Sequence, residues 1–491
     1  MERLWSERLA RYRRSLVMFG GVAAAAALAL GATEIGKAQS SGTGFDTSRP
    51  AQLVATAEGD AQGVRINPIL STGDVLGEYQ MTGIPDGIGA YRKNAGDNDE
   101  TLEVIMNHEL DGDAPAGVGT RVSHFSLDPE TREVLDARYD MDGTEGFLRF
   151  CSSYLSYVNG KPRYFTGEEA TDSGSLTSDP SDGLGRGGSS VVLNPETGNY
   201  RETRHFGLIP HENVVPAKGL SRAVILTTED GSSTGNKSQL YAYMAPTFKD
   251  AISGEKGSLF VWKAKNGVEN DGDPSTNDIS QSEEIPGRFV RVTQEENSDA
   301  DTLETAAQSK NAFDFVRLED AAKSKRNDTR FYITDTGTLG SESVRGRLYK
   351  FEFDEDDPRN ASLTLVVDGD TSTDPVKMTN PDNLDTSRDS IVIQEDRNTE
   401  FQAEDYSRVL VYDFSTKEFT AVARVDTPVG SLPGSWESSG VLNASTLLGE
   451  DRWLLDVQAH TATAPQPGPD LEPNRSTGED GQLLEIKIPG S

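Results

Sequence analysis

From about residue 51 onward the chain is dominated by short runs in which apolar and polar residues alternate, separated by turn-forming residues. Successive side chains on a strand face opposite ways, so a period of two buries one face of a sheet and leaves few apolar stripes for helices. The pattern predicts an all-β fold. Two recurrences sharpen that expectation. Leu240-Tyr241-Ala242-Tyr243, Leu259-Phe260-Val261-Trp262 and Leu348-Tyr349-Lys350-Phe351 each set a leucine before aromatic-x-aromatic, and Leu410-Val411-Tyr412-Asp413-Phe414 is a looser copy. Asp128-Pro129-Glu130-Thr131-Arg132, Asn194-Pro195-Glu196-Thr197-Gly198 and Asp413-Phe414-Ser415-Thr416-Lys417 repeat a hairpin turn. There the opening Asp or Asn can bond its own backbone, and Pro, in the first two, presets the next φ.

A chain of 491 residues could hold two or three average domains, but a closed repeat of small antiparallel sheets absorbs such a length in one unit. A β-propeller with blades of unequal size and long loop insertions is the architecture these repeats predict, a pair of β-sandwiches being the alternative. The insertions are the polar stretch from Glu255 to Asp301, around one short strand, and the Pro/Gly-rich stretch from Pro465 to Glu479; both read as surface loops.

The formal charge of −33 makes nucleic acid and anionic lipid poor partners, since their phosphates are repelled. It is compatible with a solvated acidic surface and with carboxylates that bind divalent metal. At the N-terminus, Arg11, Arg13 and Arg14 precede an apolar run from Leu16 to Ala32, and Gly36-Lys37-Ala38 offers a small-x-small cleavage site before Gln39. Residues 1–38 therefore read as a signal peptide, 39–50 as a linker and 51–491 as the propeller domain; a membrane anchor is the alternative for the apolar run. The arginine pair resembles a twin-arginine signal, which implies the twin-arginine export machinery as a partner, a periplasmic or secreted location, and no stable membrane association after cleavage. Cys151 is the single cysteine, so no intrachain disulfide can form.

Short acidic motifs, most of them directly after an apolar strand, carry the chemistry. They are Asn107-His108-Glu109, Thr166-Gly167-Glu168-Glu169, His211-Glu212-Asn213, Thr228-Glu229-Asp230, Gln394-Glu395-Asp396 and Trp436-Glu437-Ser438-Ser439-Gly440. One carboxylate at a strand end is ordinarily a solvated turn residue. Repeated in successive blades, such carboxylates would converge on a central channel and supply the six to eight or so oxygens that calcium takes. His108 and His211 precede glutamates, and His460 closes a strong strand in Val457-Gln458-Ala459-His460.

Pro85-Asp86-Gly87-Ile88-Gly89, Asn107-His108-Glu109, the segment from Cys151 to Glu168-Glu169, Asn380-Pro381-Asp382-Asn383-Leu384, Glu395-Asp396, Trp436 to Gly440 and Gln458-Ala459-His460 together resemble, in order, the signature of PhoX-type alkaline phosphatases. The resemblance spans about residues 60 to 490. It implies a six-bladed propeller and a calcium and iron cofactor that hydrolyses phosphate monoesters, small phosphoesters being the substrates. It further implies Cys151 as an iron-bound thiolate and Glu109, Glu168, Glu212, Glu229, Glu395 and Glu437 as metal carboxylates. The chain departs from the pattern around the cysteine: Arg149-Phe150-Cys151-Ser152-Ser153 lacks the glycine-rich run, and Gly167 precedes the Glu pair in place of a second cysteine. Arg397 and Arg204 could clamp phosphate oxygens, and His460 completes the catalytic candidates. The alternatives are another calcium-dependent propeller hydrolase, phytase-like or a lactonase, and a calcium-stabilised binding scaffold without activity.

Overall fold

The computed structural model describes residues 44–94, 100–110, 119–171, 187–231, 237–265, 279–339, 341, 343–396, 407–428, 434–463 and 479–491. The signal segment 1–38, residues 39–43 of the linker, Arg397 and most of the stretch from Pro465 to Glu479 lie outside them.

The chain is an all-β propeller built of antiparallel meanders. The first holds Pro85–Asn94, Glu100–His108, Arg121–Leu127 and Val134–Met141; the second holds Phe150–Val158, Lys161–Glu168, Ser190–Asn194 and Asn199–Glu202. A nine-stranded sheet follows, with His211–Ala217 at one edge and Leu318–Lys323 at the other. It is continuous because Glu284–Val292 pairs with Ser258–Ala264 on one side and with Asn360–Asp368 on the other. Among the described residues, the stretch from Glu255 to Asp301 thus holds two sheet strands, where the sequence pattern predicts one short strand within a surface loop. Ile285 and Phe289 turn inward from its second strand onto a core where Trp262 meets Phe313 and Phe351 edge-on at 5.4 and 5.6 Å, and Val292 packs in a separate cluster with Leu259 and Val261. Two further meanders start at Pro381–Thr386 and Glu437–Asn443.

The strand at each of these six inner edges packs against the next in a closed cycle, so that the inner strands surround an axis. Residues near the N-terminus close the ring. Leu53–Ala55 becomes the outer strand of the Pro381 meander, with Leu53 opposite Val425, and Arg65–Ser71 becomes the outer strand of the last meander, with Arg65 opposite Lys487. Gln482 ties the two additions together: its Oε1 accepts from the Gln52 amide at 2.8 Å and its Nε2 donates to Ser71 Oγ at 2.8 Å.

The repeated turns form as their chemistry predicts. Asp128 Oδ1 accepts from the amides of Glu130 and Thr131, Asn194 Oδ1 from Glu196, and Asp413 Oδ1 from Ser415 and Thr416.

One buried charge network has a pH consequence. His124, 1% exposed, lies between Glu103 Oε2 at 2.8 Å and Asp140 Oδ2 at 2.7 Å. Burial opposes its charge, but bonds to Asp140 and Glu103 outweigh burial and raise its pKa. Burial likewise opposes ionised Glu103, and bonds from His124, Thr101 and Ser126 overcome it and hold that carboxyl at about 2. A raised imidazole pKa stabilises the fold fully below the ordinary value of about 6.5, and that contribution is lost as pH rises through the raised value. The melting temperature of the wild-type protein should therefore fall on the alkaline side more steeply than that of His124→Gln; parallel profiles would show the imidazole to be uncharged.

Candidate functional site

Five of the six inner strands carry the same irregularity just after their first residue: three steps on the inner strand span two on its partner. Pro85 and Ile88 face His108 and Met106; His211 and Val214 face Glu229 and Thr227; Leu318 and Ala321 face Asp335 and Ile333; Pro381 and Leu384 face Glu395 and Ile393. In the second meander, Phe150 and Ser153 face Glu168 and Thr166. A bulge of this kind bends the strand and re-aims a side chain. The residue placed at the start of each bulge is Asp86, Cys151, Glu212, Glu319 or Asp382. Ile84 and Arg149, one residue before the first two of these strands, hold φ at +49°, a costly conformation for a β-branched residue such as Ile84.

These side chains meet at the axis as two groups. Asp86, Glu109 and Cys151 offer ligand atoms that lie within 4.8 Å of one another, and so do Glu212, Glu319 and Asp382. Burial pushes the carboxyls of Asp86, Glu212, Glu319 and Asp382 well above the ordinary range, and each is raised further by neighbouring carboxylates: Glu109 for Asp86, Asp86 for Glu212, Asp230 for Glu319 and Glu319 for Asp382. Burial, then Glu109 and Asp230, lift Glu169 to about 7. Its Oε2 lies 3.4 Å from Cys151 Sγ and 3.4 Å from Arg149 Nη1. Arg317 supplies a guanidinium, bonding both oxygens of Asp230 at 2.8 Å and reaching Glu319 at 3.1 Å. So many buried carboxylates raise one another's pKa, and a cation among them would return them to the ionised form.

The donor chemistry fits metal. Asp86 Oδ1 is buried without a hydrogen-bond partner among the described residues. The all-oxygen group of Glu212, Glu319 and Asp382 suits a hard cation such as calcium, and a thiolate beside two carboxylates suits a softer ion such as iron.

The predicted residues divide by a single step along the strand. Glu109, Cys151 and Glu212 stand in the two groups. Glu437 joins their rim, raising the carboxyl of Glu109 and bonded at 2.8 Å by His460 Nε2, whose Nδ1 meets Glu479 at 2.8 Å. Glu168, Glu229 and Glu395 end the second strands of their meanders and face away. Glu168 accepts from the amides of Leu148 at 2.9 Å and Gly188 at 3.1 Å, and Glu229 from that of Gln239 at 2.8 Å, near Glu304 and Asp314. Glu395 takes Nε and Nη2 of Arg408 at 2.7 and 2.6 Å. The next residues, Glu169, Asp230 and Asp396, are the ones directed to the axis, because one step on a strand reverses the face. Arg204, on a short turn with a largely exposed side chain, pairs with Glu202 at 3.3 Å and touches neither group. His108 bonds Gly83 O and Ser123 Oγ, and His211 bonds Gly207 O, so both serve the backbone framework.

No protein-family model matches the chain, and no curated protein sequence does. Solved structures share its architecture at a distance. A GH43 β-1,3-galactosidase aligns at 11% identity with a TM-score of 0.34, over 68% of this chain and 88% of its own. A periplasmic gluconolactonase of Pseudomonas aeruginosa aligns at 11% identity and TM-score 0.31, over 66% and 82%. A GH43_1 enzyme of Xanthomonas citri aligns at 9% identity and TM-score 0.30, over 87% and 91%. Likeness at this level says nothing of activity or of the site.

Sequence reasoning passed over Asp86, Asp230, Glu319, Asp382 and Arg317 as site residues. The missed signal is the bulge itself: Leu318-Glu319-Asp320 repeats His211-Glu212-Asn213 and Pro381-Asp382-Asn383, an acid followed by Asn or Asp at the head of an inner strand. The following residues brace the ring from inside: Asn213 bonds Asp320, and Asn383 Oδ1 accepts from Ser439 Oγ at 2.9 Å and from the Gly440 amide at 3.0 Å.

Cys151 is the soft donor of the site, and its thiol is pushed far up by burial first and then by Glu212, Glu109, Glu169 and Asp86. Cys151→Ser nearly conserves volume while offering iron a poor ligand. Iron content and turnover should fall together and far more than the melting temperature, which should drop by no more than the lost ion accounts for; full iron and full turnover in the folded variant would leave Cys151 as packing alone.

Proposed function

We propose that the chain is an exported, metal-dependent hydrolase of phosphate monoesters working at the axial carboxylates. The observation that supports this most is the adjacency of the two ligand groups, one all oxygen and one with a thiol, in a buried setting where unpaired carboxylates are costly. Bound cations would neutralise the phosphoryl oxygens of a dianionic substrate and lower the pKa of a water. The chain's own residues do the rest. Asp86, Glu109, Cys151, Glu212, Glu319 and Asp382 would hold the cations. Arg317 keeps Asp230 and Glu319 in place through a fixed guanidinium fork. Glu169, its Oε2 3.4 Å from Cys151 Sγ and 3.4 Å from Arg149 Nη1, is placed to accept a proton beside the cations. Glu437 and His460 form the rim beside Glu109.

A second reading is favoured by the oxygen-only group: Glu212, Glu319 and Asp382 would hold calcium without iron, which suffices for an ester hydrolase of the lactonase or phytase kind. Turnover of a generic aryl phosphate, a phytate and a lactone by the full chain loaded with calcium, with and without iron, separates the two. Aryl phosphate turnover that needs both metals and vanishes on chelation is the expected result. Calcium-supported turnover confined to lactone or phytate would transfer the conclusion to the second reading, and loss of all three activities in metal-loaded protein would leave a calcium-stabilised scaffold.

A further inference from the structure

Asp456 lies on the Arg452–Thr463 strand, wholly buried, and neither of its carboxylate oxygens has a hydrogen-bond partner among the described residues. It faces Ser439 in the register of the last meander, where the adjacent Gly440 bulges with φ +48°. A Cβ at Gly440 would stand 2.7 Å from Asp456 Oδ2 and 2.7 Å from the backbone oxygen of Asp86. These two oxygens, one from the last meander and one from the first, therefore border the same small space. Asp86 Oδ1, Ser438 Oγ and Gln458 Oε1 are likewise buried without partners on the strands that bound it. The nearby donor Gln458 Nε2 is directed elsewhere, to Glu109 Oε2 at 3.1 Å and more distantly to Asp86 Oδ2 and Ser439 Oγ at 3.4 Å.

A buried carboxylate whose oxygens take no hydrogen bond among the described residues, set beside a backbone oxygen, is the environment of a cation. Burying a carboxylate with no counter-charge is among the costliest arrangements in a protein, and an all-oxygen surround selects a hard ion. We propose that Asp456 and the Asp86 backbone oxygen form a separate, structural cation site for calcium that clamps the last meander to the first where the propeller closes. Asp86 would then serve both places, through its carboxylate at the axis and through its main chain at the seam. The site requires no catalytic turnover and stands apart from the phosphatase reading.

The test compares the full chain with Asp456→Asn, which keeps the shape and removes the charge, and with Glu319→Gln, which alters the axial group alone. After dialysis against calcium buffer, elemental analysis of Asp456→Asn should show about one calcium fewer per chain than wild type. In saturating calcium its melting temperature should be lower than that of wild type, the difference should shrink or reverse on adding chelator, and Glu319→Gln should still lose stability on adding chelator. Wild-type calcium content in Asp456→Asn, or a melting temperature in saturating calcium at or above that of wild type, would overturn the proposal and show Asp456 to be protonated. Should Asp456→Asn fail to fold, the smaller Asp456→Ser, which leaves space for water, is judged by the same two readouts. Neither readout depends on an ester being cleaved, so an inactive protein with a normal seam ion would count against the proposed function alone.

Discussion

Arg408→Leu should cost the fold about 3–5 kcal/mol, the loss that follows when one partner of a buried ion pair is removed and the other stays behind. Glu395 and Arg408 are 2% and 8% exposed. The carboxylate takes two bonds from the guanidinium and two more from the amides of Thr379 at 2.9 Å and Arg408 at 3.2 Å. Leucine restores apolar volume and leaves an ionised or forcibly protonated glutamate without its partner. Denaturant unfolding measures the effect, and the double variant Arg408→Leu, Glu395→Met should recover a large part of it, since two well-packed apolar residues can replace a buried pair at little net cost. The metal content of both variants should match wild type. A drop in metal with stability unchanged would return Glu395 to the axial site, from which its bonds to Arg408 now exclude it.

Chelation should lower the melting temperature and abolish turnover together. An ion that binds only the folded chain contributes about 2.7 kcal/mol for each site held at a hundred times its dissociation constant. The axial carboxyls repel one another most strongly when the ion is gone, as the raised pKa values of Asp86, Glu212, Glu319 and Asp382 show. Scanning calorimetry before and after chelation, followed by calcium repletion, gives the stability term, and the same samples give turnover. A melting curve unmoved after verified metal loss would mean that these carboxylates are held by protons and water and form no shared cage.

The fold was legible in the sequence because alternation, turn chemistry and the aromatic-x-aromatic strands are local signals, and Asp128, Asn194 and Asp413 make the bonds their positions imply. The convergence of strand-end acids was legible for the same reason. Which acid of a pair turns inward was not. Glu168 and Glu169, Glu229 and Asp230, and Glu395 and Asp396 differ by one residue, and only the pairing register decides which faces the axis and which caps backbone amides. Glu319 escaped notice for a different reason. Its motif, Leu318-Glu319-Asp320, opens an inner strand where the acid precedes the apolar run, whereas most of the recognisable acidic motifs follow one. The role of Glu284–Val292 was hidden too, because its strand character is diluted by Glu284, Pro286, Arg288 and Arg291 at exposed positions and by the buried Gly287.

The closure of the ring by Leu53–Ala55 and Arg65–Ser71 sets the order of events at synthesis. Arg49 bonds Asp480 across 431 residues of chain, and Arg65 waits opposite Lys487. The first segment to leave the ribosome cannot find its place until almost the last has followed it. Up to that moment the half-made sheets expose open edges, the state in which large β topologies are slowest to fold and most prone to pair with the wrong partner. A nascent chain of this design therefore needs its early strands kept apart from other chains for the whole of translation, and a premature stop near residue 470, which removes Glu479–Lys487, should yield insoluble protein even though all six inner strands have been made.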